Sequence, residues 1–201
     1  MVFNNLVLYL WRIVAILIAI TVHEYAHGKM AEIEGDPTPR LSGRLSLNPL
    51  AHIDPIGFLM LLLFRFGWAK PVPVNFDNLR RGEKSIVLVS LAGPFANFTL
   101  AFLVSMFWRI EGLYIPIGFI RFCIELAILN VFLGVFNLIP IPPLDGSHVL
   151  EAILPYKYRR YYRSLGIYGI FILMILILTN VLYIIMSPFL SFFFYLLGLN
   201  F

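Results

Sequence analysis

Long apolar runs separated by short polar, proline-rich stretches set the plan of this chain. The first run, about Leu6 to Met30, is uncharged from Ile13 to Val22. It has Arg12 as an early exception and carries His23, Glu24 and His27 near its far end. A spanning helix needs about 20 apolar residues, so this run predicts one. From Ala31 to Pro55 the pattern turns mixed, with Gly35-Asp36-Pro37, Pro39, Gly43 and Pro49 as breakers. Polar and apolar residues alternate over Arg44 to Leu47, which predicts a short strand or hairpin across Leu41 to Leu47. Ile56 to Phe66 is apolar but only 11 residues long. It is too short to span untilted, and reads as a half-helix, a re-entrant piece or a span that leans on its neighbours. Gly67 to Lys84 is a polar, proline-rich loop.

Further on, Ile86 to Trp108 predicts a span interrupted at Gly93-Pro94, and Leu113 to Pro140 predicts another. Within the latter, Arg121 and Glu125 are spaced for mutual pairing one helical turn apart. Ile139 to Gly146 holds three prolines in four positions and cannot be regular helix. His148 to Leu154 predicts a short helix, Tyr156 to Arg163 a basic aromatic loop, and Gly166 to Met186 a last span. Ser187-Pro188 would then separate that span from an apolar tail.

Composition fixes the solvent. Of 201 residues 60% are hydrophobic and 13% charged, with mean hydropathy +0.87. Soluble domains run about 45–50% apolar and about 25% charged, so a water-soluble domain, a disordered tail and a secreted disulfide scaffold are excluded. The expected fold class is an all-α polytopic membrane protein of about five to six membrane helices. One helix is broken by the proline-rich stretch, and a small β-hairpin follows the first. A single domain covers 1–201, with a core over about 6–155 and C-terminal helices over 156–201. Cys123 is the one cysteine, so no internal disulfide forms.

The net charge of +4 serves topology rather than nucleic acid. Eight Lys/Arg lie between Lys29 and Lys84 (Arg65 among them), and four lie between Tyr156 and Arg163. Alternating the spans places both groups on one side, the cytoplasmic one by the positive-inside tendency, with the N-terminus outside. Arg12 is long enough to snorkel to the outer interface. A prokaryotic plasma membrane is the expected location.

His23-Glu24-Tyr25-Ala26-His27 has the HExxH pattern of zinc-protease helices. Residues four apart share a helical face, so both imidazoles reach one tetrahedral ion. Glu24 stands beside them, placed to take a proton from water activated at the metal and pass it to a leaving amine. Two interfacial histidines with a snorkelling glutamate would give the same letters. Within an apolar helix, however, ionisable groups cost roughly 2.5 kcal/mol or more at mid-bilayer and mark a function or a partner. Candidates for a third ligand are His52, Asp54, Glu125, Asp145, His148 and Glu151. Asp145 stands out, because the unwound stretch before it would hold it at the depth of the two histidines. Its alternative role is to cap the helix beginning near Ser147.

With these residues in place the sequence resembles the site-2 protease family of zinc intramembrane metalloproteases, in its compact prokaryotic branch without PDZ or CBS domains. The resemblance rests on HEYAH at His23 to His27, on Asn137-Leu-Ile-Pro-Ile-Pro-Pro-Leu-Asp145-Gly146, and on Ser90-Leu-Ala-Gly-Pro-Phe-Ala-Asn97. Stretches Gly43 to Gly57 and Gly67 to Asn75 add to it. It implies that His23, His27 and Asp145 bind one Zn2+ per chain and that Glu24 is the general base. Asn137 would bind substrate or stabilise the oxyanion, and Asn97 would do so more weakly, with a helix–helix hydrogen bond as its alternative. His52 and Asp54 match the branch pattern. His52 would support the ligands from behind, gate the site or anchor a loop; Asp54 would share the supporting role or start a turn. The implied function is regulated intramembrane proteolysis, the hydrolysis of peptide bonds within transmembrane segments of membrane proteins, with the lipid bilayer as the other partner. A catalytically silent scaffold that binds transmembrane helices, and a metal or ion transporter, are the alternatives.

Overall fold

The computed structural model describes residues 2–64, 67–110 and 114–199. Arg65, Phe66 and Leu113, which figure in the expectations above, lie outside the described residues. Within them the protein is helical: α1 (Val2–Ile33), α2 (Thr38–Leu41), α3 (Pro55–Phe64), α4 (Glu83–Ser105), α5 (Ile117–Asn137), α6 (Asp145–Ile153), α7 (Tyr156–Ser164), α8 (Gly169–Leu178) and α9 (Val181–Leu196).

Helices α1, α4 and α5 pack on one another in all three pairings and form the frame of the site. Small residues let their backbones approach, as between helices in lipid: Ala15, Ala19, Ala101 and Ala127 are buried. At Gly134 on α5 an added Cβ would press on the Phe98 ring of α4. A second layer, α9 against α5, closes over Leu182, Met186 and Leu190. Much of the outward surface is large and apolar (Ile170, Phe171, Ile184 and Phe192 are exposed), as a lipid-facing surface requires.

Three described helices, Leu8–Ile33, Glu83–Trp108 and Ile117–Asn137, are long and apolar enough to cross a membrane. A fourth crossing arises if the bent pair Tyr156–Ile167 and Gly169–Leu178 is one span. The expected five to six are thus not all matched by length and composition. The expected last span, Gly166 to Met186, is broken in its middle: Asn180 adopts a left-handed conformation at φ 61° between α8 and α9. Asn tolerates that region better than most residues. Conversely, α9 runs through Ser187-Pro188 and α4 through Gly93-Pro94, where breaks were expected.

No hairpin forms over Leu41 to Leu47. Leu41 ends α2, and among the described residues the pairing is a single antiparallel bridge between Ile53 and Ala69. The reason is visible in the side chains. Arg44 is buried and points across the chain, donating from Nη2 to the carbonyls of Lys70 (2.5 Å) and Pro71 (3.1 Å). Proline at 71 and 73 removes the N–H groups that a ladder needs. What results is one extended stretch, residues 69–75, strapped against α1.

Two buried carboxylates staple the base of α1, Glu34 to the start of α4 and Asp36 to that stretch. Glu34 accepts from Ser85 Oγ (2.5 Å) and from Arg81, whose Nε is at 2.9 Å. Arg81 and Ser85 hold its carboxyl below the usual carboxylate range against the opposing effect of burial. Asp36 accepts from Thr38 Oγ1 (2.5 Å), Thr38 N–H (3.1 Å), Asn75 N–H (2.8 Å) and Asn78 Nδ2 (2.9 Å). Burial pushes its carboxyl up, but these four donors outweigh it and hold it below its ordinary value.

Arg121 and Glu125 do not pair as expected. Glu125 instead takes Arg12 of α1 across the helix interface, Nε to Oε1 at 2.5 Å.

Candidate metal centre

The HExxH turn lies in the part of α1 packed against α4, and it buries both imidazoles. The proline-broken stretch after α5, with a cis Pro142-Pro143 bond, folds back and delivers Asp145 as the first residue of α6. Gly146 is obligatory there, because a Cβ would collide with the backbone carbonyls of Leu138 and Ile139. Asp145 does not cap the helix: α6 starts at it with no side-chain cap, and Ser147 Oγ bonds back to Leu144 O. Its carboxylate turns instead to the histidines.

The resulting triangle is tight. His23 Nε2 and His27 Nε2 are 3.0 Å apart, and Asp145 Oδ2 lies 3.1 Å from the first and 3.2 Å from the second. His23 Nδ1 faces Asn97 Oδ1 at 2.6 Å and His27 Nδ1 faces Val89 O at 2.7 Å, so each neutral ring has its proton on Nδ1. Three lone pairs therefore converge, and buried Asp145 Oδ2 has no hydrogen-bond donor. Such an arrangement is repulsive unless a metal ion or a shared proton sits among the three atoms. Ligand atoms around a tetrahedral ion with bonds of about 2.0 Å sit about 3.3 Å apart, so the donor set fits zinc in type and size. Among the described residues this is the one group of three ligating side chains close enough to share a metal.

The small side of α4 makes room for the rings. A Cβ on Gly93 would lie 2.7 Å from His23 Cε1 and from His27 Cε1, and closer still to His27 Nε2. Ordinary carbon contacts are about 3.5–4.0 Å, so only glycine fits. On the other flank, Glu24 Oε2 accepts the backbone N–H of Val72 at 2.7 Å. The strap 69–75 thus runs directly over the carboxylate, with Gly28 allowing the Val72 side chain to approach α1.

The remaining expected site residues fall apart from one another. Asn137 is half-buried at the end of α5 and donates from Nδ2 to Leu133 O at 3.0 Å. Asn97 is fully buried behind His23, with Nδ2 donating to Ala19 O (3.0 Å) and Asn130 Oδ1 (2.7 Å). Both its protons are spent, so it has none for an oxyanion; it is the helix–helix tie. His52 joins through Nε2 to Ser46 O at 2.7 Å and anchors that loop, outside the metal triangle. Asp54 accepts from Gly57 N–H at 2.8 Å at the start of α3. His148 packs edge-on against Phe76.

Sequence reasoning missed Asn130, Val72, Arg44 and the clearance role of Gly93. For Asn130 a signal exists, an amide amid an apolar span; for the Val72 N–H none exists, since a backbone group leaves no letter.

Residues 110–179, which hold Asn137 and Asp145 but not the HExxH turn, match peptidase family M50. YwhC of Bacillus subtilis (strain 168), a candidate zinc metalloprotease by name, is 35% identical over 176 residues, 84% of this chain and 80% of its own. Rip2 of Mycobacterium tuberculosis (strain ATCC 25618 / H37Rv), named in the same way, is 31% identical over 174 residues, 83% of this chain and 66% of its own. The zinc metalloprotease MJ0392 of Methanocaldococcus jannaschii is 26% identical over 160 residues, 78% of this chain and 38% of its own. No solved structure matches the chain.

Proposed function

Because the chain belongs to peptidase family M50, we propose that this metalloprotease is a zinc-dependent intramembrane endopeptidase that cuts peptide bonds within transmembrane segments of other proteins. The observation that carries the reading is the convergence of three ligand atoms at 3.0–3.2 Å, with Glu24 adjacent in the helix.

His23, His27 and Asp145 would hold one zinc. Zinc bound there supplies a Lewis acid that polarises the scissile carbonyl and acidifies water. Glu24 takes a proton from the water as its oxygen attacks the carbonyl carbon, and returns it to the amine nitrogen as the C–N bond breaks. The Val72 N–H engages Oε2 and fixes the plane of the carboxylate, while the second oxygen takes the proton. Asn137 retains a second amide proton besides that given to Leu133 O, and stands eight residues before Asp145 to hold the peptide carbonyl.

A substrate helix must unwind to offer its backbone to such a site. Chain breaks support this: the extended strap at 69–75 and the unwound stretch before Asp145 both border it, so water and irregular backbone meet polar partners there. The whole chain, 1–201, acts as one multi-pass domain in a prokaryotic plasma membrane, with α3 and α9 completing five to six membrane helices. The basic residues of Lys29 to Lys84 and Tyr156 to Arg163 support a site opening to the cytoplasm and an N-terminus outside.

The test is cleavage of a model transmembrane substrate by the purified protein in detergent or liposomes. Wild type is expected to cut in a chelator-sensitive way, and Glu24→Gln to retain metal without cutting. Cleavage surviving in Glu24→Gln would overturn the assignment of the base.

A further inference from the structure

Three buried amide and imidazole groups on three different helices form one directional chain. Asn130 on α5, Asn97 on α4 and His23 on α1 are each inaccessible or nearly so, the two asparagines at 0% exposure. The direction of each link follows from its neighbours. Asn130 Nδ2 lies 2.8 Å from Leu126 O, and Asn97 Nδ2 lies 3.0 Å from Ala19 O. A backbone carbonyl only accepts, so both of these atoms must be the NH2 ends of their amides. Asn130 Oδ1 therefore accepts from Asn97 (2.7 Å), and Asn97 Oδ1 is left to accept from His23 Nδ1 (2.6 Å). Flipping either amide would set two carbonyl oxygens face to face, at Ala19 for Asn97 or at Leu126 for Asn130, where both side chains are fully buried.

We propose that Asn130, acting through Asn97, is a positioning residue that keeps the His23 proton on Nδ1 and so presents the Nε2 lone pair to the metal. This rests on the zinc-site reading above. His27 reaches the same tautomer with less support, through the single carbonyl of Val89 at 2.7 Å. His23 is different because its partner is an amide that could rotate, turning NH2 towards the ring and favouring the wrong tautomer. Asn130 removes that freedom. It gives Asn97 a second acceptor which, with Ala19 O, claims both amide protons. A helix-packing asparagine would need only one cross-helix bond; here the polarity of two bonds is specified and ends at a metal ligand.

Loss of a group that orients a metal-bound histidine typically costs about 10–100-fold in metal affinity. The experiment measures zinc affinity by chelator competition on purified protein, with the visible spectrum of the cobalt(II)-loaded form as a second readout. Asn130→Leu keeps the volume and removes both bonds. It is expected to weaken zinc about tenfold and to shift the cobalt bands, and Asn97→Leu is expected to do more. Asn130→Asp is expected to restore the wild-type values. A carboxyl buried among apolar groups stays protonated, so its O–H can donate to Leu126 O and its carbonyl can accept from Asn97. Asn130→Leu with unchanged zinc affinity and cobalt bands, but a lower melting temperature, would reduce Asn130 to helix packing and overturn the proposal. Should Asn130→Leu fail to fold, nitrogen-15 NMR of histidine-labelled, metal-free wild type decides: His23 protonated on Nδ1 is expected, and protonation on Nε2 overturns it. Wild type that takes up no zinc would instead defeat the zinc reading itself, and the NMR result would still judge the chain of amides.

Discussion

Replacing Gly93 with alanine adds one methyl group where two imidazoles already stand. The added carbon would lie 2.7 Å from His23 Cε1 and from His27 Cε1. Ordinary carbon contacts need about 3.5–4.0 Å, so the rings must retreat by roughly 1 Å. Neither can do so freely, because His23 is tied at Nδ1 to Asn97 and His27 to Val89 O. Overpacking of this kind costs about 1–3 kcal/mol. Charged to the metal complex, that is a loss of roughly fivefold to 150-fold in zinc affinity, since about 1.4 kcal/mol corresponds to tenfold. A shift of about 1 Å in the catalytic geometry can itself cost about 100-fold in rate. The sign makes the prediction sharp. At an unconstrained helical position Gly→Ala would stabilise by about 0.5–1 kcal/mol. Chelator competition, cleavage of a transmembrane substrate and thermal melting of the metal-free protein read the three quantities. Wild-type zinc affinity together with a raised melting temperature in Gly93→Ala would refute the argument that this glycine exists to clear the histidines.

Two further outcomes follow from the strap and its staples. Val72→Pro deletes the one N–H that reaches Glu24 while suiting extended backbone, so zinc affinity should hold and kcat should fall about 10–100-fold, the worth of about 1.5–3 kcal/mol for a bond to a charged group; an unchanged kcat would show that the contact is incidental. Asp36 has a folded-state carboxyl pKa below its unfolded value, so its stabilising contribution is full above the ordinary Asp range and is lost as pH falls through the depressed folded value. The melting temperature should therefore drop at acid pH in wild type, and Asp36→Asn should be less stable by about 1–3 kcal/mol near neutrality with a flatter acid limb; equal acid limbs in the two proteins would contradict this.

How much of this was legible in the letters depended on where the information lies. His23, Glu24 and His27 share one helix turn, so their spacing alone placed them together, and the unwound stretch before Asp145 pointed to it across 118 positions from His27. The Pro140 to Pro143 break was equally plain. The hairpin over Leu41 to Leu47 failed because alternation describes a strand only where a partner can pair, and the facing segment carries Pro71 and Pro73. Arg12 with Glu125 displaced the expected Arg121 pair because contact across helices is set by how α1 and α5 pack, which local spacing does not encode. The break at Asn180 was hidden for a similar reason. Asn180 sits with Thr179 in an otherwise apolar stretch, and only the left-handed backbone shows that the chain turns there. Asn97 was noticed as part of a motif with two alternatives, an oxyanion contact and a helix–helix hydrogen bond, and its bonds to Ala19 O and Asn130 Oδ1 follow the second.

The central claim is that His23, His27 and Asp145 together bind one zinc. Metal analysis of protein purified without added metal, comparing wild type with Asp145→Ala at equal folded content, tests it most directly. One zinc per chain in wild type and a large loss in Asp145→Ala is the result expected from three convergent atoms at 3.0–3.2 Å. A full equivalent of zinc retained by Asp145→Ala would contradict the account.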